Sequence, residues 1–364
     1  PGFMPRNVTD ESRTNIGAYV DVENGVTDKL LLGAAVRFEN YSDFGSIVTG
    51  KFSGRFEVME GLAVRAAAST GYRAPSLAQS YFSTISTNFI NGVPFEVGTF
   101  PVTSPVARAL GAVDLEAETS VNLSGGATFE SGNFSLTADF YNITITDRVV
   151  ISENFTGSGS VGTLQSFLAS RGVNATGGRY FTNAVDSKTT GIDVIARYAL
   201  ELAGDATLRA TVAANFTQTE ITNKDEITTP AALSQYTSVP LFGRSEQGRY
   251  EEGQPRSSIQ TSFNYTKDRT SIILRVNRFG EYTVYNTSNP ARDQEYAGKI
   301  ITDLEFSRQV ADGYVFALGA NNLFDIYPDR TIQPSSNNGI FQYSGQTPFG
   351  FDGRYVYTRI TINL

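Results

Sequence analysis

Residues 29–39 read Lys-Leu-Leu-Leu-Gly-Ala-Ala-Val-Arg-Phe-Glu. The even positions, from Leu30 to Phe38, are all apolar, whereas the odd positions end in the charged residues Arg37 and Glu39. Because successive side chains of a β-strand point to opposite faces, this segment has one apolar face and one polar face. The same alternation recurs in residues 51–59, 62–69, 190–201 and 206–217. Strands of about ten residues with this two-residue period are typical of a transmembrane β-barrel.

The composition excludes several classes of function. The chain has 364 residues, no Cys, no His and no Trp, and a net charge of −8. Without Cys and His it lacks thiolate chemistry, imidazole metal ligands and His-dependent catalytic triads, so we predict no enzyme activity, no metal site and no cofactor. The acidic balance argues against nucleic acid as a partner. The 25 Phe and 18 Tyr residues could supply the aromatic girdles of a membrane barrel.

The connections between the predicted strands alternate in length. The pattern predicts roughly thirteen strands. Short turns are predicted at residues 23–28, 60–61, 130–133, 201–205, 267–269 and 311–313. Long connections are predicted at residues 40–50, 71–113, 147–181, 222–255, 286–298 and 327–353. Membrane barrels have short periplasmic turns and long extracellular loops in this alternation.

The pattern changes little along the chain, so residues 1–364 are predicted to form a single unit. The odd strand count, with the C-terminus on the periplasmic side, implies that earlier strands are missing, because bacterial barrels have even strand numbers. One segment also breaks the alternation: in residues 134–146 the apolar residues are even up to Phe140 and odd from Tyr141. A β-bulge near Phe140, or an exit from the hydrocarbon band, would explain this change.

Several stretches resemble the C-terminal barrel of TonB-dependent outer-membrane receptors. The most specific is Gly319-Ala-Asn-Asn-Leu-Phe-Asp325, followed by Tyr327-Pro328. Gly71-Tyr-Arg-Ala-Pro-Ser-Leu77 is similar to the family's Gly-Phe-Arg-Ala-Pro-Ser signature, with Tyr72 in place of the commoner Phe. Weaker resemblances lie at residues 115–120, 138–143, 181–193 and 339–357. The family usually ends in an aromatic residue, from which Leu364 departs.

The resemblance implies an all-β fold, an antiparallel transmembrane β-barrel in the bacterial cell outer membrane. The chain would be the C-terminal portion, about thirteen strands of a plugged barrel of about 22, without the plug domain, the first strands and the TonB box. The intact protein would actively take up a scarce, bulky ligand, most often a ferric siderophore, so that iron would arrive only as chelated cargo. The implied partners are outer-membrane lipid, the missing plug, the TonB–ExbB–ExbD complex and the siderophore, with no nucleic acid.

Two groups of candidate residues follow. Charges on the polar phase are expected to face the lumen, because a Lys or Arg on the lipid face near the midplane costs about 2–4 kcal/mol. This lumen-wall or plug-facing group comprises Arg37, Arg55, Arg65, Asp193, Arg197, Arg209, Arg275, Asp303 and Glu305. The second group lies in or beside the long connections, where arginines could attract an acidic ferric chelate. These candidate ligand contacts are Arg73, Gln79, Tyr81, Arg244, Arg249 and Arg256. For Arg73 and Gln79, packing against the plug is an equal expectation.

Two other hypotheses remain open from the sequence. A passive porin, or a barrel that anchors an adhesin, would share the strand pattern but would need no plug. A soluble all-β carbohydrate-binding protein would use the alternating strands to line an inward core, and the one-sided long loops count against it. The barrel motifs do not distinguish siderophore, haem, cobalamin and oligosaccharide receptors.

Overall fold

The computed structural model describes residues 7–90, 93–173, 175–336 and 339–363. Its main feature is a 13-stranded sheet, called the wall here, in which each strand pairs with its neighbours in chain order. The wall strands are β1 (Asn15–Thr27), β2 (Leu30–Tyr41), β3 (Gly45–Met59), β4 (Leu62–Arg73), β5 (Glu118–Ser131), β6 (Phe134–Ile151), β7 (Phe181–Leu202), β8 (Ala206–Ile221), β9 (Ser257–Lys267), β10 (Thr270–Phe279), β11 (Lys299–Ala311), β12 (Tyr314–Asn321) and β13 (Tyr355–Ile362). Leu364, the predicted end of the last strand, lies outside the described residues.

One face of the wall is apolar and exposed. All neighbouring wall strands are antiparallel, so residues directly opposite one another share a face. Phe140 on β6 lies opposite Ile192 on β7, which lies opposite Phe216 on β8. All three side chains are between 45% and 48% exposed. The apolar phase of the strands therefore forms an outer surface of the sheet and not a core.

The other face of the wall is polar, and glycines make room for its contacts. Arg65 on β4 and Asp139 on β6 lie on either side of Gly126 on β5. Arg65 Nε and Nη2 donate to the two Asp139 carboxylate oxygens at 2.8 and 2.5 Å. A Cβ on Gly126 would lie 2.0 Å from Asp139 Oδ1, so only glycine lets this ion pair cross the strand between them.

The two ends of the wall differ as the alternation predicted, with one exception. At one end, residues 28–29, 60–61, 132–133, 203–205, 268–269 and 312–313 form tight turns. At the other end the connections span residues 74–117, 152–180, 222–256, 280–298 and 322–354. The predicted long connection at residues 40–50 is wrong, because β2 runs to Tyr41 and β3 begins at Gly45. The polar residues of that stretch pair within the hairpin and do not form a loop.

The predicted bulge near Phe140 is also wrong. Strands β5 and β6 pair without a register shift from Phe134 to Thr146. The irregularity lies further along, where β7 shifts register between Asn183 and Ser187. Tyr141 therefore shares the polar face with Asp139, and its hydroxyl accepts a hydrogen bond from Asn215 Nδ2 at 3.2 Å.

Three of the long connections pack into one layer, called the loop layer here and made of residues 74–117, 152–180 and 222–256. Its core contains Leu110, Phe155, Leu164, Leu168 and Leu233, all fully buried. No described helix is long and apolar enough to cross a membrane. The helices are α1 (Leu77–Tyr81), α2 (Pro105–Ala109), α3 (Leu164–Ala169) and α4 (Arg244–Glu251), with 3-10 turns at Lys224–Glu226, Ala231–Leu233, Pro290–Arg292 and Gln333–Ser335. Short strands lie at Thr84–Ile90, Val93–Thr99, Ser158–Gly159, Gly162–Thr163, Gly177–Arg179, Tyr282–Val284 and Gln294–Tyr296.

Candidate ligand-binding surface

Arg73 lies where β4 leaves the wall, and its pairing is structural. It sits opposite Glu118 on β5, and Arg73 Nε donates to Glu118 Oε2 at 3.0 Å. The Glu118 carboxylate is nearly buried and also accepts the backbone N–H of Val149 on β6 at 2.8 Å. The pair therefore joins three strands at this end, although more than half of the Arg73 side chain remains exposed.

Gln79 caps the helix that follows. Ser76 is the N-cap of α1, and its hydroxyl accepts the backbone N–H of Gln79 at 3.1 Å. The Gln79 side-chain oxygen accepts the backbone N–H of Ser76 at 2.9 Å, which completes a capping box. Tyr81, the last residue of α1, lines a cavity of about 400 Å³ together with Ser83 and Phe100. The side-chain oxygen of Gln79 thus stabilises the start of α1, whereas Tyr81 borders the cavity.

Arg244 at the start of α4 is locked by several contacts. Its guanidinium donates to both carboxylate oxygens of Asp293 at 2.7 and 2.5 Å and to the backbone carbonyl of Asn286 at 3.0 Å. The same group lies 4.7 Å from the ring centroid of Tyr285, within cation–π range. The hydrogen bonds from Arg244 lower the pKa of the Asp293 carboxyl. These contacts tie α4 to the connection at residues 280–298.

Arg249 and Arg256 are held much less firmly. Arg249 reaches Glu246 at 3.2 Å, and Arg256 reaches Glu252 at 3.2 Å, each through a single nitrogen. Their side chains are 58% and 50% exposed. Exposed ion pairs of this kind contribute about 0–1 kcal/mol, so an incoming anion could replace the carboxylate at little cost. Among the predicted ligand contacts, these two arginines are the most available.

The structure also brings in residues that the sequence did not single out. Arg148 on β6 lies 4.9 Å from the ring centroid of Tyr250 on α4, and it donates to the Ser187 hydroxyl at 3.1 Å. Tyr285 donates to Glu252 at 2.8 Å, beside the Arg256 pair. Helix α4 thus carries Arg244 and Arg249, its Tyr250 contacts Arg148, and Arg256 pairs with Glu252 just beyond the helix end. Gln79 and Tyr81 have no described contact with this helix.

The charges predicted for the lumen all lie on the polar face of the wall. Register places Arg197 and Asp193 on one face of β7, Arg209 on the same face of β8, and Arg275 opposite Asp303. Arg65 pairs with Asp139, Arg37 with Glu39, and Glu305 with Arg359 at 2.9 Å. In the described part of the chain, no ion pair involves Arg55, Arg197, Arg209 or Arg275. These four arginines are therefore available to pair with acidic groups of a partner that lies against the polar face of the wall.

The described residues contain no group of three or more acidic side chains that could hold a metal ion. The surface around α4 offers two exposed guanidinium groups, those of Arg249 and Arg256, and two more, those of Arg148 and Arg244, that already contact aromatic rings. That combination suits a bulky anion with flat, delocalised groups.

Comparisons with known proteins agree with this architecture. The family model described as TonB dependent receptor-like, beta-barrel matches residues 1–323. A solved mutant of the ferric enterobactin receptor PfeA of Pseudomonas aeruginosa superposes with a TM-score of 0.65 at 14% identity, over 96% of this chain and 45% of that one. The siderophore receptor PirA of Acinetobacter baumannii gives 0.64 at 15% identity, over 96% and 46%. The ferric yersiniabactin uptake receptor FyuA of Yersinia pestis gives 0.54 at 18%, over 95% and 44%.

These similarities define the wall as part of an outer-membrane receptor barrel. The chain belongs to the family of TonB-dependent receptors, as its β-barrel portion. Both the predicted family and the predicted antiparallel barrel fold are confirmed. The chain spans less than half the length of the solved receptors that it resembles. No curated protein sequence matches it significantly.

Proposed function

We propose that the chain is the wall of a receptor for active uptake of a ferric siderophore across the outer membrane. The observation that carries the proposal is the surface around α4, which presents the exposed and weakly paired Arg249 and Arg256 together with the Arg148–Tyr250 and Arg244–Tyr285 cation–π contacts. Solved siderophore receptors are also among the structures that the fold resembles. Iron would be cargo held by the siderophore, and the protein would contribute no cofactor.

The remaining parts of the proposal concern partners. Residues 1–364 would form one portion of the barrel, surrounded by outer-membrane lipid. The four cations without described ion pairs, Arg55, Arg197, Arg209 and Arg275, would face acidic groups of a plug domain in the intact receptor. Energy would come from the TonB–ExbB–ExbD complex, acting on a TonB box outside this chain.

Uptake in cells tests the activity. We expect iron-starved cells that carry the receptor to accumulate radioactive iron from ferric enterobactin, or from another siderophore of a small panel, and to stop when TonB is deleted. Uptake that continues without TonB would favour the passive porin. Uptake of no siderophore in the panel would contradict the proposal.

Substitution tests the binding surface separately. The Arg249→Gln, Arg256→Gln double variant should weaken binding of the transported siderophore at least about tenfold, since each charge-assisted contact contributes about 1.5–3 kcal/mol. The matched control is Arg269→Gln, because Arg269 also has a single exposed contact, to Asp312 at 3.1 Å, but lies at the tight-turn end. Equal binding by the double variant and the control would show that α4 does not contact the siderophore.

A further inference from the structure

A furrow crosses the polar face of the wall near the middle of strands β2 to β5. Its floor is one row of small residues that lie opposite one another in the register, namely Gly33, Ser53, Ala67 and Ser124. Together with neighbouring side chains, they line a cavity of about 260 Å³ that opens into the lumen. Ser53 is near the middle of the 15 residues of β3, so the furrow lies about halfway between the two ends of the wall.

The furrow differs from other parts of the polar face, where tyrosine rings cover the glycines. A Cβ on Gly191 would lie 2.3 Å from the Tyr141 ring, and a Cβ on Gly319 would lie 2.4 Å from the Tyr357 ring. The described residues that line the furrow include no aromatic ring. Because the floor consists of small residues, a bulky molecule in the lumen can come close to the backbone of β2 to β5.

Two cations of β3 lie on either side of the furrow. Lys51 and Arg55 flank Ser53 on the polar face, and both line the cavity and are exposed. A strand rises about 3.3 Å per residue, so the Cα atoms of the two cations are about 13 Å apart. Neither cation has an ion pair in the part of the chain that the structure describes. Two cations at this spacing, with a hydroxyl group between them, can hold the anionic oxygens of one bulky ligand.

The neighbouring charges leave these two cations available. Arg65 stands directly opposite Arg55, but its guanidinium donates to the Asp139 carboxylate and is neutralised there. Glu23 lies opposite Gly33 and bounds the row of small residues at β1. An anion in the furrow is therefore attracted to the cations of β3 and repelled from β1.

We propose that the furrow is an intermediate binding site on the path of the ferric siderophore through the barrel, reached after the surface around α4. The anionic oxygens of the chelate contact Lys51 and Arg55, and its other polar groups contact the hydroxyls of Ser53 and Ser124. The cargo thus passes along β2 to β5, between this part of the wall and the plug. Arg55 pairs with the plug at rest and with the chelate during passage. This inference rests on the proposed function, because it requires an anionic cargo that enters the barrel.

Photocrosslinking during transport tests the proposal in cells that carry the intact receptor. A benzophenone amino acid replaces Ser53 or, as a control, Ala213, which also lies on the polar face but on β8. The cells are given ferric enterobactin, or the other siderophore of the panel that native cells take up. We expect a siderophore adduct at position 53 in cells with TonB, no such adduct in cells without TonB, and none at position 213.

Two results of the crosslinking would overturn the proposal. One is the lack of a siderophore adduct at position 53 while uptake continues, and capture of a plug peptide alone would then assign the furrow to the plug. The other is an equal yield of siderophore adduct at positions 53 and 213, which would show that the cargo has no preferred path along the wall. Failure of the proposed function gives a different result, because native cells would then take up no siderophore of the panel.

Substitutions test the two cations without a photoprobe. Lys51→Gln and Arg55→Gln should each lower the maximal rate of siderophore uptake about tenfold, because each removes one charge-assisted contact. Binding to the cell surface, measured without TonB, should change less than about twofold. Arg275→Gln is the control, since Arg275 also lies on the polar face without a described ion pair but outside the furrow, and it should slow uptake much less. Equal slowing by Arg55→Gln and Arg275→Gln, or weaker surface binding by the furrow variants, would contradict the proposed contacts.

Discussion

The wall and the loop layer use the same apolar residue types in opposite ways. In the wall, Phe140 and Phe216 are 47% and 48% exposed, whereas Phe155 and Leu164 in the loop layer are fully buried. The difference follows from the surroundings. Hydrocarbon accepts the apolar face of the wall, but water at the end of the barrel forces the loop layer to bury its apolar groups. An exposed apolar side chain therefore shows a packing defect only where the surrounding solvent is water, and not where it is hydrocarbon.

The largest expected effect comes from breaking the loop-layer core. Phe155→Ala should destabilise the layer by about 3–5 kcal/mol, because the side chain is fully buried against neighbours from three connections. Hydrogen exchange should show faster exchange across residues 152–180 and unchanged exchange in the wall. The control is Val161→Ala, an exposed position in the same connection that should stay within about 0.5 kcal/mol. Equal destabilisation of wall and layer would show that they do not fold as separate regions.

Reversing the polarity of the wall should have the next largest effect. Val212 on β8 is exposed on the apolar face, and Ala213 lies on the polar face beside it. Val212→Lys should destabilise the wall in phospholipid vesicles by about 2–4 kcal/mol, and Ala213→Lys by far less. Urea unfolding followed by circular dichroism measures both variants. A larger loss of stability for Ala213→Lys than for Val212→Lys would show that the two faces have been assigned the wrong way round.

A smaller effect is expected where α4 meets the connection at residues 280–298. Asp293→Asn removes the ion pair with Arg244 and should loosen this contact by about 1 kcal/mol at pH 7, given its partial exposure. The pKa of Asp293 is lowered in the fold by Arg244. The stabilisation that the Asp293 carboxylate provides is therefore present above its pKa in the unfolded chain, about 3.9. It is lost as the pH falls through its lower pKa in the folded protein.

Proteolysis of residues 280–298 as a function of pH measures this effect. The native protein should become more susceptible below about pH 4, and Asp293→Asn should be equally susceptible throughout. Asp312→Asn serves as control because Asp312, although paired with Arg269, is almost fully exposed. If Asp293→Asn kept the native pH dependence, the Arg244 pair would not be its cause.

The smallest expected effect is a gain in stability. Glu153 has a buried carboxylate oxygen, Oε1, that makes no hydrogen bond of good geometry with the described residues, although the backbone N–H groups of Gly243 and Asn154 lie close to the carboxylate. Burial and then the nearby Glu246 raise the pKa of its carboxyl. The contribution of Glu153 to stability is fully present below its pKa in the unfolded chain, about 4.3. It is lost as the pH rises through its higher pKa in the folded protein. Glu153→Gln should therefore stabilise the loop layer at neutral pH and change little at pH 4, as measured by hydrogen exchange. Destabilisation at neutral pH would show that the charge is favourable.

The wall could be predicted from the sequence because lipid and lumen impose a period of two on every strand. Residues 29–39 and 206–217 show this period directly. The turn at residues 42–44 could not be predicted in the same way, since the mostly polar residues 40–46 look like part of a longer loop. Both strands continue through polar residues there, since Asn40 pairs with Ser46, so polarity alone does not mark a loop.

The candidate surface was less predictable, for two physical reasons. The Arg244–Asp293 pair joins residues 49 positions apart, and no local pattern connects them. Gly126 makes room for the Arg65–Asp139 ion pair. From the sequence, a glycine inside a strand indicates only that some other group approaches the backbone closely, and it does not show which group. Gln79 was different, because Ser76-Leu-Ala-Gln79 already fits the capping-box pattern that the structure contains.

The central claim, that one face of the wall meets lipid and the other an aqueous lumen, can be measured directly because the chain has no native cysteine. Single cysteines would replace Thr211, Val212, Ala213 and Ala214 in turn, and a membrane-impermeant maleimide would be applied to native outer membranes. The account predicts that the cysteines at 211 and 213 react and those at 212 and 214 do not. Equal reactivity at all four positions, or the opposite alternation, would contradict it.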